Sequence, residues 1–217
     1  MTVNAIILTG GRSRRFGGEY KPGVDVGGKS TISRILNSIR RLDTGHLAEA
    51  SGDAGSDADS GQVSITCSEV WVAGPVGGLS AAEKATVHEV REEPAFAGPL
   101  AGIAAAVAAM SPSEIILVLA GDMPMITASH LGRLIHACRE TGRLATAKDD
   151  RGKTQFLCAA WPSELLRGRL NGIGDPTDRA VRLLFSGLEP TVVDVDPDVV
   201  SDFDTAAELE AIRTRLQ

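Results

Sequence analysis

The run Ala5-Ile6-Ile7-Leu8-Thr9-Gly10-Gly11-Arg12-Ser13-Arg14-Arg15-Phe16-Gly17-Gly18-Glu19-Tyr20-Lys21 decides how the rest of the chain is read. Its leading apolar residues, Ala5 to Leu8, have the character of a buried strand. Adjacent glycines follow. A chain that leaves a strand through glycines brings its backbone N–H groups close to an anion, because no Cβ intervenes. Arg12, Arg14, Arg15 and Lys21 add positive charge to the same loop, a combination suited to a polyphosphate. The pattern is neither the G-x-x-x-x-G-K-[ST] loop nor G-x-G-x-x-G, since Gly10 and Gly11 are adjacent. A glycine-rich turn with a solvated basic face is the competing reading.

Outward from this loop, the 217 residues fit one large domain, 1–217, with an ample core. Hydrophobic residues make up 43% and charged residues 23%, an ordinary soluble balance. No apolar run is long enough to span a membrane. The first residues show no charged stretch followed by a cleavage site, so no signal peptide is expected. A net charge of −6 argues against general nucleic-acid binding, which makes the local arginines matter more than the sum. Cys67, Cys138 and Cys158 lack metal-like spacing and read as reduced, mostly buried residues of a cytoplasmic protein. His130 and His136 are six apart, a spacing that does not share a helix face, so zinc is not expected.

Along the chain, Ser30 or Thr31 can cap a helix whose apolar stripe is Ile32, Ile35, Leu36, Ile39 and Leu42. Residues 43–62 are mostly Gly, Ala, Ser and Asp and cannot offset their ordering entropy, so a disordered surface insertion is expected there. Strands are predicted at Val70–Ala73 and, more weakly, at Val87–Val90. Gly98-Pro99 opens an alanine-rich helix, Leu100 to Met110. Ile115 to Ala120 reads as the central strand of a parallel sheet. Leu131, Leu134, Ile135 and Cys138 mark the next helix, and Leu144–Ala147 and Phe156–Trp161 two further strands. Ala180 to Leu184 reads as a helix ending near Gly187, Val192–Val195 as a late strand, and Thr205–Leu216 as a terminal helix. Strand and helix alternate throughout, which predicts an α/β fold: three layers, a doubly wound, mostly parallel, Rossmann-like sheet. Ligands of such sheets lie beyond the carboxyl ends of the strands, where the glycine loop is.

Asp122 follows the central strand directly, in Ala120-Gly121-Asp122-Met123-Pro124. It either faces the same crevice, where one or two carboxylates with substrate phosphates hold Mg²⁺, or caps the following turn. In Asp202-Phe203-Asp204 the alternation puts both aspartates on one side of an extended segment. Asp204 also reads as the N-cap of the last helix. If either late aspartate reaches the crevice, a two-carboxylate magnesium site results, and with the basic loop it implies phosphoryl or nucleotidyl transfer.

Leu8-Thr9-Gly10-Gly11-Arg12-Ser13-Arg14-Arg15-Phe16-Gly17 with Lys21 resembles the L-x-G-G-x-S-x-R-M-G…K signature of nucleotidyltransferases with a glycosyltransferase-A-like fold. Gly98-Pro99-Leu100-Ala101-Gly102 and Leu119-Ala120-Gly121-Asp122-Met123-Pro124 resemble its downstream partners, and the three together resemble the molybdenum cofactor guanylyltransferases. The resemblance runs from residue 3 to about residue 213, outside the 43–62 insertion. It implies transfer of GMP from magnesium-bound GTP to the phosphate of molybdopterin, with release of pyrophosphate. Leu8, Thr9, Gly10, Gly11, Arg12 and Ser13, with Gly98, Pro99 and Leu100, would hold the nucleotide. Arg15 and Lys21 would neutralise the triphosphate. Asp122 would bind magnesium, joined by Asp202 and Asp204, which stand where the family has a late N-x-N-T-P pattern. Arg179 and Arg182, three apart and so on one helix face, match a basic pair near the pterin phosphate, and a solvated face accounts for them equally well. Gly11 and the Gly98–Gly102 motif resemble the guanine-specific branch; a purine needs the space a Cβ would fill. The resemblance also implies molybdenum insertion proteins or recipient molybdoenzymes as partners.

The chain departs from the family at several positions. Tyr20 stands where an aspartate usually precedes the lysine, Thr9 and Gly121 replace other small residues, the late asparagines are aspartates, and Ala206 replaces proline. Three rival readings follow: the same chemistry with CTP, nucleotidyl transfer to another phosphorylated acceptor such as a sugar phosphate, or a non-catalytic carrier of the molybdenum cofactor.

Overall fold

A computed structural model describes residues 1–10, 20–42, 65–148, 152–195, 197–200, 202–203 and 205–216. The expected insertion at 43–62 and most of the glycine loop, including Gly11, Arg12, Ser13 and Arg15, lie outside the described residues, as does Asp204.

The elements in chain order are β1 (Thr2–Leu8), α1 (Thr31–Arg40), β2 (Thr66–Ala73), α2 (Ala81–Lys84), β3 (His88–Val90), α3 (Pro99–Ala109), β4 (Ile115–Ala120), α4 (Ala128–Thr141), β5 (Ala145–Lys148), β6 (Thr154–Pro162), α5 (Ser163–Ile173), β7 (Thr191–Val193) and α6 (Ala206–Arg215). Short 3₁₀ turns lie at Lys21–Gly23, Val181–Phe185 and Pro197–Val200. The strands form one seven-stranded sheet in the order β3-β2-β1-β4-β6-β5-β7.

The sheet is buried on both faces, which is why its central strands read as unbroken apolar runs. Along β1, Val3, Ala5 and Ile7 meet α1 and α4 residues such as Ile32, Ile35, Leu131 and Leu134. Ile6 and Leu8 turn the other way, onto Ile103 and Val107 of α3, with Leu166 and Phe185 in the same cluster. Ile115, Leu117 and Leu119 of β4 alternate with Ile116 and Val118 in the same manner. Helix α1 begins at Ser30, whose hydroxyl accepts from the Ser33 N–H, and buries the expected stripe from Ile32 to Leu42.

One strand departs from the parallel expectation. β6 runs antiparallel to both β4 and β5, while the other pairings are parallel. The physical reason is the connection 149–153, too short for the dozen or more residues a parallel crossover needs. Two helices, α2 and α5, stand where no element was expected. The helix expected over Ala180–Leu184 is the 3₁₀ turn Val181–Phe185, so Arg179 precedes it and the two arginines do not share an α-helical face. The cap of α6 is Thr205, not Asp204: Thr205 and Glu208 form a reciprocal capping box.

A small third cluster joins the chain ends. Val24 and Val26 pack against Phe203, Leu209 and Ile212, and the Arg213 guanidinium donates to the Asp25 carbonyl at 2.9 and 3.2 Å. This contact brings Asp202-Phe203 back beside Lys21. His130 lies fully buried with its Nε2 3.6 Å from Cys158 Sγ; burial pushes the imidazole down to about 4 and the thiol up to about 12, so both are neutral core groups. All three cysteines are free thiols. Among the described residues no helix is long and apolar enough to cross a membrane.

Candidate active site at the strand ends

β2, β1 and β4 end side by side, with Ala73, Leu8 and Ala120 in register. Beyond that line the backbone is folded back onto neighbouring carbonyls. The N–H groups of Thr9 and Gly10 both donate to the Ala73 carbonyl, at 3.0 and 3.2 Å, and the Gly121 N–H donates to Leu8 at 2.8 Å. Two of the positions that make this close packing require glycine. A Cβ on Gly121 would lie 2.7 Å from the Leu8 carbonyl oxygen, and one on Gly74, whose φ is +123°, 2.5 Å from the Gly10 nitrogen.

The loop opened by Gly10 is fastened at both mouths to one acceptor. The Thr9 hydroxyl donates to the Pro75 carbonyl at 2.8 Å, and the Tyr20 hydroxyl donates to the same oxygen. The Tyr20 ring lies against Gly23 and Gly77, where a Cβ would come within 2.8 and 3.0 Å of it. Burial, its largest influence, pushes the Tyr20 phenol up to about 12, so it is a neutral donor at any ordinary pH. Tyrosine here closes the loop onto the neighbouring strand exit and sets the backbone from which Lys21 projects.

Lys21 is 7% exposed. Its Nζ lies 3.8 Å from Asp122 Oδ2 and 5.6 Å from the centre of the Phe203 ring. A buried ammonium between a carboxylate and an aromatic face is compensated by both. Asp122 and Asp202 line one cavity of about 250 Å³ with Lys153 and Gln155. The sequence-predicted Asp122 and Asp202 are therefore brought to the same space. Among the described residues no group of three or more His, Cys, Asp or Glu forms a metal cage. Magnesium does not need one: it takes one or two carboxylates and completes its shell with water and substrate phosphates, so this all-oxygen pair fits it.

Where β1 and β2 end lies a second cavity of about 430 Å³, within the range of small-molecule sites. Leu8, Gly10, Gly98 and Pro99, four of the residues proposed from the sequence for the nucleotide, line it together with Gly102. Gly98, at φ +94°, precedes Pro99 at the first helical position, so the opening turn of α3 lies against the cavity. Leu100 is different: it is fully buried in the core beneath and supports α3 without lining the cavity. Thr9, 3% exposed, likewise spends its hydroxyl on Pro75. Arg179 and Arg182 are exposed and line neither cavity.

Glu92, Phe96 and Asp178 also line this second cavity and were missed from the sequence. Glu92 follows the three-residue strand β3, and the nearest signal, Glu92-Glu93-Pro94 just before Gly98, resembles an ordinary solvated turn. Its carboxylate looks across the glycine floor: Cβ atoms built on Gly10 and Gly102 would lie 3.9 and 4.0 Å from its two oxygens. The site thus has a half-buried acceptor on one side of β1 and a lysine–aspartate pair on the other.

Comparison with known proteins gives the family. A family model for the MobA-like NTP transferase domain matches residues 5–189. A molybdenum cofactor guanylyltransferase of Mesorhizobium japonicum is 26% identical over 180 residues, 82% of this chain and 76% of that protein. The structure of molybdopterin-guanine dinucleotide biosynthesis protein A from Archaeoglobus fulgidus superposes with a TM-score of 0.65 at 17% identity, covering 98% of this chain and 97% of the other. A 2-C-methyl-D-erythritol 4-phosphate cytidylyltransferase from Thermus thermophilus gives 0.64 at 16%, covering 100% and 99%. The fold is shared by both, so it does not choose the base. With the matched family model spanning most of its length, this chain belongs to the MobA-like NTP transferases and is a nucleotidyltransferase with the glycosyltransferase-A-like fold.

Proposed function

We propose that the chain transfers GMP from magnesium-bound GTP to the phosphate of molybdopterin and releases pyrophosphate. The observation that carries this reading is the pair of cavities at the strand ends, one glycine-floored with a carboxylate acceptor and one lined by Asp122 and Asp202, with Lys21 3.8 Å from Asp122. Guanine presents adjacent N1–H and N2–H donors, which a carboxylate such as Glu92 accepts; cytosine and adenine offer no such pair of donors. The names of the curated relatives support the same nucleotide and acceptor.

In this reading the purine lies on the Gly10–Gly98 floor and the triphosphate crosses the end of β1 toward Asp122. An oxygen of the acceptor phosphate attacks the α-phosphorus, a new P–O bond forms, and the bond to the β-phosphate oxygen breaks. The attacking phosphate is ionised at neutral pH, so no general base is needed. Lys21 holds the departing pyrophosphate with Arg15 of the glycine loop, and Arg12 and Ser13 complete the phosphate cradle. Asp122 and Asp202, with Asp204 as a further candidate from the sequence, would hold magnesium, which when bound supplies charge neutralisation at the reacting phosphates. Arg179 and Arg182 remain candidates for the pterin phosphate. Three free thiols support a reducing, cytoplasmic setting, where insertion proteins or recipient molybdoenzymes would take up the product.

The test is pyrophosphate release from GTP with molybdopterin, from CTP with molybdopterin, and from GTP with a sugar 1-phosphate. The expected result is turnover of the first pair, abolished in Asp122→Ala. Turnover with the sugar phosphate alone, or an unimpaired Asp122→Ala, would overturn the assignment.

A further inference from the structure

Phe96 carries two features that folding alone disfavours. Its side chain is 62% exposed, more than any other large hydrophobic among the described residues. Its φ is +66°, in the left-handed region that a bulky residue rarely enters. Among the described residues only Asp178, at φ +53°, shares that conformation without being glycine, and both line the glycine-floored cavity. The two are held there from either side. The Phe96 N–H donates to Glu92 Oε1 at 3.1 Å, and the Asp178 N–H donates to the neighbouring Ala97 carbonyl at 2.7 Å. Strain fixed in place by its surroundings at the rim of a cavity points to use of the residue it displays.

We infer that Phe96 is the stacking platform for the purine base, set by Glu92 so that one residue both accepts from the base edge and orients the ring that covers its face. The inference rests on the nucleotide reading of this cavity and deepens it. A base held at its edge by a carboxylate leaves its flat faces to be desolvated, and an aromatic ring at the rim does this without sequence-specific hydrogen bonds. Stacking of this kind acts on every purine nucleotide alike, so Phe96 supplies affinity while Glu92 supplies the choice of base.

Glycine at position 96 separates this role from a structural one, because it removes the ring and relieves the backbone at once. Calorimetry of the full chain with magnesium and GTP, and separately with pyrophosphate, is combined with thermal melting. Phe96→Gly is expected to melt no lower than the wild type, to bind GTP about ten- to a hundred-fold more weakly, and to bind pyrophosphate unchanged. Phe96→Trp is expected to keep GTP affinity. Unchanged GTP binding by Phe96→Gly, while the wild type binds GTP, would overturn the stacking role and leave the nucleotide reading standing. An equal loss for pyrophosphate, or a loss confined to molybdopterin, would also overturn it. A wild type that binds no purine nucleotide would overturn both.

Discussion

The two cavities flanking the end of β1 are made by opposite means. The larger is shaped by what is missing: Gly10, Gly98 and Gly102 leave a floor without side chains, and the Glu92 carboxylate lies against it. The smaller is shaped by what is present: Asp122, Asp202 and Lys153 line it, and Lys21 beside Asp122 rests against the Phe203 ring. The first suits a flat, weakly polar group that needs room, and the second a concentrated charge that needs neutralising. It follows that the first should respond to added volume, chiefly in KM, and the second to removed charge, chiefly in kcat.

The largest effect is expected on the charged side. Asp122→Asn should lower transfer about a thousand-fold with an unchanged circular dichroism spectrum, since electrostatic contributions of this kind dominate such reactions. Lys21→Met should lower it about a hundred-fold. Because Lys21 neutralises Asp122 in the free protein, the double variant should fall well short of the product of the two losses; simple multiplicativity would contradict their coupling.

The glycine side should behave differently. A Cβ on Gly10 would meet the Ala73 carbonyl at 3.8 Å and Glu92 at 3.9 Å, ordinary contacts that the fold accommodates. Gly10→Ala should therefore keep its melting temperature and raise KM for GTP about ten-fold with kcat nearly unchanged. An effect on kcat alone would break the division between the two cavities.

Tyr20 joins the two sides, and its loss should be the mildest. Tyr20→Phe keeps the ring against Gly23 and Gly77 but removes the bond to Pro75, at a cost of about 1 kcal/mol in melting experiments. The pH dependence has a definite sign. Burial raises the phenol from 10.0 to about 12, so the folded state favours its neutral form. That contribution is complete below pH 10 and is lost as pH rises from 10 through 12, and Tyr20→Phe should lack this alkaline loss.

How much of this was legible in the sequence depended on whether the cause was local. The unbroken runs Ala5–Leu8 and Ile115–Ala120 are strands buried on both faces, and Ser30 and Gly98-Pro99 are helix starts whose signals lie within a few residues. Asp122 was found because it follows a strand directly. Thr205–Glu208 is an equally local capping box that Asp204 obscured. Helix α5 was missed because Gly168 and Gly172 weaken its propensity. Glu92 and Tyr20 were not legible as functional for a different reason. Glu92 gains its place only because a three-residue strand pairs with β2, and Tyr20 only because Gly77, far along the chain, leaves room for its ring. Such roles arise from the meeting of distant segments.

Whether the glycine-floored cavity selects guanine is read from calorimetric titration of the purified chain with GTP, CTP and ATP, each with and without Mg²⁺. The expected result is magnesium-strengthened binding of GTP well above the other two, with the preference for GTP lost in Glu92→Gln. Preference for CTP, or binding of molybdopterin with no affinity for any nucleotide, would contradict it.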